Sequence, residues 1–136
     1  MILNFKGVET KEFKLLDEGN YNARVQKIEA KTSSKGNPYL GICFVITDEG
    51  KGLKGRLVWD NFYLSEKAIW KFKQLLDAAG MDTEGDAEGN VDFNPGDLVG
   101  AEVNIKVGTD SYEGKDRNVV LSSSEAKDTV STGFDF

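Results

Sequence analysis

The chain contains no histidine and only one cysteine, Cys43, among its 136 residues. Without an imidazole, neither a Ser-His nor a Cys-His pair can form, so the usual activated nucleophiles are excluded. The same two shortages exclude a cysteine-histidine zinc site and an internal disulfide. No phosphate-binding G-x-x-x-x-G-K-[ST] loop occurs. We therefore expect a non-catalytic protein without metal or cofactor. Because carboxylates are plentiful, a magnesium-dependent nuclease is the enzymatic alternative.

Long apolar runs are also missing, and none approaches the roughly 20 residues that a membrane helix needs. The first residues lack the pattern of a signal peptide, and a lone cysteine suits a reducing compartment. We therefore expect a cytoplasmic protein with no membrane contact. At this length, with 39% hydrophobic residues, the chain should fold as one domain with a core of its own.

Acidic and basic residues are unevenly distributed along the chain. Residues 1–75 hold 13 Lys/Arg against 9 Asp/Glu, whereas residues 76–136 hold 4 against 14. The net charge of −6 argues against a nucleic-acid partner. The basic excess, however, is confined to the first half of the chain, so its distribution favours such a partner there.

What the sequence does contain is a β-hairpin pattern between residues 33 and 62. Tyr39–Thr47 and Arg56–Phe62 are rich in β-branched and aromatic residues, and glycine-containing turn signals separate them. Side chains on a strand alternate between its faces. This alternation predicts a core face made of Leu40, Ile42, Phe44 and Ile46. On the return strand it groups Arg56, Val58, Asp60 and Phe62 on one face and Leu57, Trp59 and Asn61 on the other.

The hairpin combines aromatic rings with lysines in and beside its loops. Tyr39, Trp59 and Phe62 are the candidate stacking rings, and Gly41 leaves room for another group to lie close. Rings among cations suit a single-stranded nucleic acid, because every base has a flat face and every phosphate a charge. The alternative is that the rings fill the core of a small barrel and the lysines keep the hairpin soluble.

One strand is predicted before the hairpin and one helix after it. Tyr21–Lys31 predicts a first strand with a bulge near Gln26 and Lys27. Glu66–Ala79 predicts a helix with Ser65 as N-cap and Gly80 after its end. Its apolar stripe is expected to contain Ala68, Ile69, Phe72, Leu75, Leu76 and Ala79. Trp70 lies opposite that stripe, either exposed to a ligand or covered by a terminal segment.

Two more strands complete the pattern, Leu98–Gly108 and Asp116–Ser122. We expect Asn104 to point outward and Tyr112 to lie at the tip of the turn between them. The acidic loop 81–97 lacks the glycine and glutamate positions of an EF-hand, so we expect it to be solvated. The order of three strands, one helix and two strands predicts an all-β OB-fold, a five-stranded Greek-key barrel. The domain is expected to span residues 1–121, followed by a polar tail, residues 122–136.

Several segments resemble a family of small phage-encoded proteins, long catalogued as a domain of unknown function, that behave as single-stranded-DNA-binding proteins. The resembling segments are residues 18–21, EGNY, residues 34–39, SKGNPY, residues 55–62, GRLVWDNF, and residues 70–76, WKFKQLL. The similarity covers about residues 1–121. It implies an OB-fold that coats single strands cooperatively during phage replication or recombination in the host bacterial cytoplasm. Self-association is left open.

The tail resembles a second pattern, the aromatic-tipped acidic end of bacterial and phage single-strand binders. That resemblance implies that Phe134, Asp135 and Phe136 dock phage or host replication or recombination proteins. Only one acid lies beside the terminal Phe136, so the alternative is a disordered end or a segment packed on the barrel.

We therefore predict a non-catalytic single-stranded-DNA-binding protein with little sequence preference. The alternative is an OB module whose exposed rings dock a replication partner. The residues predicted to contact phosphates are Arg24, Lys31, Lys35, Lys54, Arg56, Lys106 and Arg117. Those predicted to stack on bases are Tyr39 and Trp59, followed by Phe62, Trp70 and Tyr112.

Overall fold

The computed structural model of the protein describes residues 1–7, 15–49 and 53–127. Its elements are β1 (Gly19–Thr32), β2 (Pro38–Ile46), β3 (Leu57–Tyr63), α1 (Ile69–Ala78), β4 (Glu102–Tyr112) and β5 (Lys115–Glu125), with a short 3-10 turn at Pro95–Asp97. The strands form one antiparallel sheet in the order β3-β2-β1-β4-β5. The predicted all-β class, with one helix after the third strand, is confirmed.

The alternation on the hairpin places its residues as predicted. Leu40, Ile42, Phe44 and Ile46 are buried, and so are the inward residues Val58 and Phe62 of β3. The predicted bulge is present, since the pairing of β1 with β2 shifts between Val25 and Lys27. The extra residue restores the phase of β1, so Ile28 packs against the core after the bulge.

The helix is shorter than predicted. Residues 65–68 form a turn in which the Ser65 carbonyl accepts hydrogen bonds from the Ala68 and Ile69 N–H groups, and α1 begins at Ile69. Phe72, Leu75 and Leu76 are buried against the sheet. The prediction that Ile69 belongs to the buried stripe is wrong, since it is 43% exposed in the first helical turn. Gly80 follows the helix with a φ of +79°, as a C′ glycine should.

The sheet is open and does not close on itself, so the structure shows the predicted all-β class but not the predicted barrel. Within the described residues no backbone ladder joins β3 to β5. Side chains fill the gap instead. Asp60 Oδ2 accepts from the Val120 N–H at 2.8 Å, and Gln74 Oε1 of α1 accepts from the Ser123 N–H at 3.0 Å. These contacts satisfy β5 edge groups that a closing strand would otherwise have to pair.

The β4–β5 hairpin is longer than predicted. The strands meet at a two-residue turn, Glu113–Gly114, where both residues have positive φ, 52° and 78°. β5 continues to Glu125. The prediction that Asn104 is exposed is wrong, because its side chain donates to Asn22 Oδ1 and is buried. The Asn22 side chain in turn bonds the backbone of Lys127, which covers that side of the sheet. No helix of the described ranges has the length and apolarity needed to cross a bilayer.

Candidate nucleic-acid interface

Four cross-strand rows form the side of the hairpin that faces away from the core. From β1 through β2 to β3, the rows are Lys31–Tyr39–Tyr63, Glu29–Gly41–Asn61, Lys27–Cys43–Trp59 and Arg24–Val45–Leu57. We call this surface the outer face. Because register fixes which side chains are neighbours, Tyr39 lies directly beside Lys31, whereas Tyr63 and Trp59 on β3 are each one strand further from the cations of β1.

The first row contains two tyrosines whose rings are in contact. The ring centroids of Tyr39 and Tyr63 are 5.3 Å apart, with the planes tilted by 35°. Tyr39 is half-buried and Tyr63 is 49% exposed. Tyr63 was missed in the sequence, although the alternation that placed Trp59 and Asn61 outward also points to Tyr63 when β3 is extended by one residue.

Lys31 crosses the outer face over Gly41. A Cβ atom at position 41 would lie 3.3 Å from Lys31 Cε and 3.4 Å from its Nζ. The glycine thus lets the lysine side chain lie flat, as the sequence suggested that some group might. This position brings its ammonium group toward Asn61, between the tyrosine row and the tryptophan row.

Trp59 occupies the third row and is 43% exposed. Lys27 lies in the same row and approaches Glu29 at 3.9 Å, a distance at which an exposed pair contributes little stability. Cys43 lies in the middle of this row and is buried, and burial raises the pKa of its thiol. Such a thiol packs as a small apolar group rather than acting as a reactive one.

A groove of about 460 Å³ continues from Tyr63 into the gap between β3, α1 and β5. We call it the seam groove. Its ring is Trp70, which is 57% exposed, and its cations are Lys67, Lys71 and Arg117. The structure therefore brings Trp70 and Arg117 together, as parts of one site with Tyr63.

Asp60 forms the floor of the seam groove. Its carboxylate is 6% exposed and accepts from Lys71 Nζ at 2.9 Å as well as from the Val120 N–H. Arg117 approaches it at 3.9 Å. Lys71 also lies 4.7 Å above the centre of the Phe62 ring. The carboxylate therefore holds one cation and lies near a second.

The outer face and the seam groove carry an excess of positive charge. The cations are Arg24, Lys27, Lys31, Lys67, Lys71 and Arg117. The carboxylates are Glu29, Asp60 and Asp110. Six cations against three carboxylates give this surface a sign opposite to that of the whole chain, which carries −6. A polyanion would be attracted to this surface specifically.

Phe62 is a correction to the predicted ring set. Its side chain is fully buried, with ring centroids 6.1 Å from Phe44 and 6.2 Å from Phe72. It faces the core because it follows the phase of Val58 and Asp60, opposite to that of Trp59. It therefore cannot stack on a base.

The other predicted cations lie outside the tyrosine row. Lys35 is exposed in the β1–β2 loop, and Lys106 is exposed on β4 opposite Asn20. Lys54 pairs with Glu49 at 3.3 Å in the β2–β3 connection. Arg56 is half-buried before β3, where its charge acts on Tyr21.

Two predicted features, the ring of Tyr112 and the tip of the tail, lie outside the described residues. Tyr112 ends β4, but its side chain lies outside the described part of the structure. The same holds for the whole of Phe134, Asp135 and Phe136. Among the described residues, no three acidic or thiol side chains are grouped as metal ligands would be.

The chain was compared with known proteins. No curated protein matches it. A family described as a protein of unknown function, DUF669, matches residues 3–132. Since this match covers nearly the whole sequence, the chain belongs to the DUF669 family.

Proposed function

We propose that the protein binds single-stranded DNA without catalysis and coats it during phage DNA replication or recombination. The observation that carries this proposal is the ring pair Tyr39–Tyr63 beside Lys31 on the outer face, continuous with Trp70 in the seam groove. Rings along a positively charged track are the usual means of holding an unpaired strand.

The fold supports the same proposal. We propose that the open sheet is an OB-fold in which Asp60 of β3 bonds the backbone of β5, and Gln74 of α1 bonds it further along, in place of a β3–β5 ladder. The OB-fold is itself a partly open barrel, and its second and third strands bind oligonucleotides. Those two strands carry the rings of the outer face, and β1 beside them carries its cations.

The chemistry of the outer face favours single strands over duplexes and disfavours sequence preference. A duplex hides the flat faces of its bases, whereas an unpaired strand can lay them on Tyr63 and Trp59. Ring stacking accepts every base, and no cluster of amide side chains on the outer face offers the paired donors and acceptors that read base edges. Such a site would coat a strand of any sequence rather than recognise one particular sequence.

A fluorescence titration tests the proposal. Trp59 and Trp70 are both exposed, so oligo-dT binding should quench tryptophan emission. Affinity should fall as salt rises, because phosphate neutralisation releases counterions. Tyr63→Ala should weaken binding by about 1–3 kcal/mol, whereas Tyr63→Phe, which keeps the ring, should bind nearly as the parent does.

Two control ligands sharpen this experiment. Duplex DNA of the same length should bind far more weakly, and an RNA oligonucleotide reports whether the sugar matters. Incubation of labelled strand with magnesium should leave it intact. Absence of oligo-dT binding at low salt would refute the proposal, and so would cleavage of the strand.

A further inference from the structure

The first residues of the chain form an exposed apolar segment. Residues 1–7, which we call the arm, contain Ile2, Leu3 and Phe5, which are 98%, 65% and 68% exposed. None of the three belongs to the packed core. Large apolar side chains exposed together in this way usually mark an interaction surface.

A second apolar surface lies between α1 and the loop that follows it. We call it the apolar groove, a depression of about 410 Å³ lined chiefly by Leu64, Ile69, Phe72, Leu76, Val91 and Phe93. Among the described residues that line it, the one cation, Lys73, is paired with Asp77 at 3.2 Å. Ile69 and Val91 are 43% and 38% exposed, and the Phe72 and Phe93 rings meet edge to face at 5.2 Å. None of residues 1–7 lines it.

The arm and the apolar groove are complementary in charge as well as in polarity. At its Leu76–Phe93 side, the groove opens into a cleft lined by Asp82, Asp86 and Asp92. The loop 81–97 contains no lysine or arginine. The only charged side chain of the arm is Lys6, directly after Phe5. Phe5 in the groove would thus place a cation at an acidic rim.

From these two surfaces we infer that the arm of one copy docks into the apolar groove of a second copy. The arm and the groove are different patches of the same chain, so the contact is heterologous. A heterologous contact that does not close into a ring propagates as an open chain. Each copy would then bind one neighbour through its arm and another through its groove.

Analytical ultracentrifugation of the full chain tests this inference. The parent's average mass should rise with concentration from 15.0 kDa to beyond twice that value. Phe5→Asp in the arm and Val91→Asp in the groove should each remain monomeric. The matched control is Val99→Asp, which places the same charge on a valine that is 46% exposed and lines neither surface. This control should assemble as the parent does.

Mixing the two monomeric variants provides the decisive test. The Phe5→Asp chain keeps its groove and the Val91→Asp chain keeps its arm, so the mixture should form pairs and stop at twice the monomer mass. A parent that stays monomeric, or variants that still assemble, would overturn the inference. So would a mixture that remains monomeric, because an intact arm would then have failed to bind an intact groove on another copy.

This outcome is separable from the proposed DNA binding. A short oligo-dT that one copy covers should bind Phe5→Asp as tightly as the parent. Loss of assembly with retained binding of the short oligonucleotide supports the inference alone. Assembly without any oligonucleotide binding would instead count against the proposed function and leave this inference standing.

Discussion

At the residue scale, Asp60 is the group on which the seam groove depends. It is a carboxylate buried on the core side of β3, and it accepts hydrogen bonds from a β5 N–H group and from the Lys71 ammonium. A buried charge is tolerated only when it is paired and hydrogen-bonded in this way. The same contacts occupy Lys71, so Asp60 both joins β3 to β5 and lowers the positive charge available in the groove.

We predict that Asp60→Asn lowers stability and tightens DNA binding. The amide oxygen can still accept from Val120, but the charged contact with Lys71 is lost, at a cost of about 1.5–3 kcal/mol. The released Lys71 can then meet a phosphate, which would steepen the slope of log affinity against log salt by about 0.7. Urea denaturation and oligo-dT titrations at several salt concentrations measure the two effects.

The control for Asp60→Asn is Asp110→Asn, since Asp110 also lines the groove but does not bond Lys71. It removes one charge without releasing a cation, so the salt slope should change less. If Asp60→Asn weakened binding in step with its loss of stability, the carboxylate would have a structural role alone.

We predict that the stability of the protein depends on pH through Tyr21. Its hydroxyl donates to the Asp17 carbonyl at 2.5 Å, and burial, followed by the nearby Asp17 carboxylate, raises its pKa. Because the folded pKa lies above the unfolded value of about 10, the contribution is complete below that pH. It is then lost as the pH rises through the folded pKa.

The test compares the free energy of unfolding of the parent with that of Tyr21→Phe as the pH changes. Below the unfolded pKa, the parent should be more stable by about 0.5–1.5 kcal/mol, the usual net worth of one hydrogen bond. In alkaline solution this difference should shrink and then reverse, because only the parent ionises on unfolding. Urea midpoints across this range measure it. A difference that stays constant would show that Tyr21 titrates alike in both states.

At the scale of elements, alternation and turn signals predicted most of the sheet. The two faces of β2, the bulge in β1 and the glycine at the end of α1 follow from local pattern, and all are present. The failures are long-range. Asn104 is buried by a contact with Asn22, 82 residues away, and Asp60 bonds a backbone group 60 residues away. No local pattern contains such partners.

In the candidate site, too, local patterns predicted some residues, whereas long-range packing placed the others. The outward direction of Tyr39 and Trp59 could be predicted because side chains alternate along a strand. Tyr63 was missed because the predicted strand ended one residue too early, at Phe62. The seam groove could not be predicted, because Lys67, Trp70 and Arg117 meet only after α1 packs between β3 and β5. Helical spacing placed Trp70 opposite the buried stripe but left open whether a terminal segment covers it, and the structure shows it exposed.

The groove leads to a prediction about the length of the bound strand. If the path runs from the outer face past Tyr63 to Trp70, short oligonucleotides should fill the outer face first. Trp70→Ala should leave their affinity unchanged but remove the gain that longer ones obtain, about 1–3 kcal/mol for one stacked base. Titration of an oligo-dT length series measures this, with Trp70→Phe as the control that keeps a ring. A loss that is equal at every length would contradict the path.

At the scale of the whole molecule, a chain of net charge −6 is proposed to hold a polyanion. The acidic residues can lie apart from the proposed binding surface, so the net charge need not prevent binding. The acids of loop 81–97 line neither the outer face nor the seam groove. Salt screens charges beyond a Debye length, about 8 Å at 0.15 M and about 30 Å at 0.01 M. The repulsion from the loop should therefore act on a bound strand at low salt and be largely screened at about 0.15 M.

Neutralising the loop tests this separation. With Glu84→Gln, Glu88→Gln and Asp92→Asn combined, affinity for a short oligo-dT should rise several-fold at about 0.01 M salt. At about 0.15 M it should change by less than about twofold, because the loop is then screened from the strand. Lys67→Ala is the reference, since loss of a contacting cation should weaken binding at both concentrations and reduce the salt slope by about 0.7. An equal gain at both concentrations would mean that the loop lies against the bound strand, and the path along the outer face and the seam groove would then be wrong.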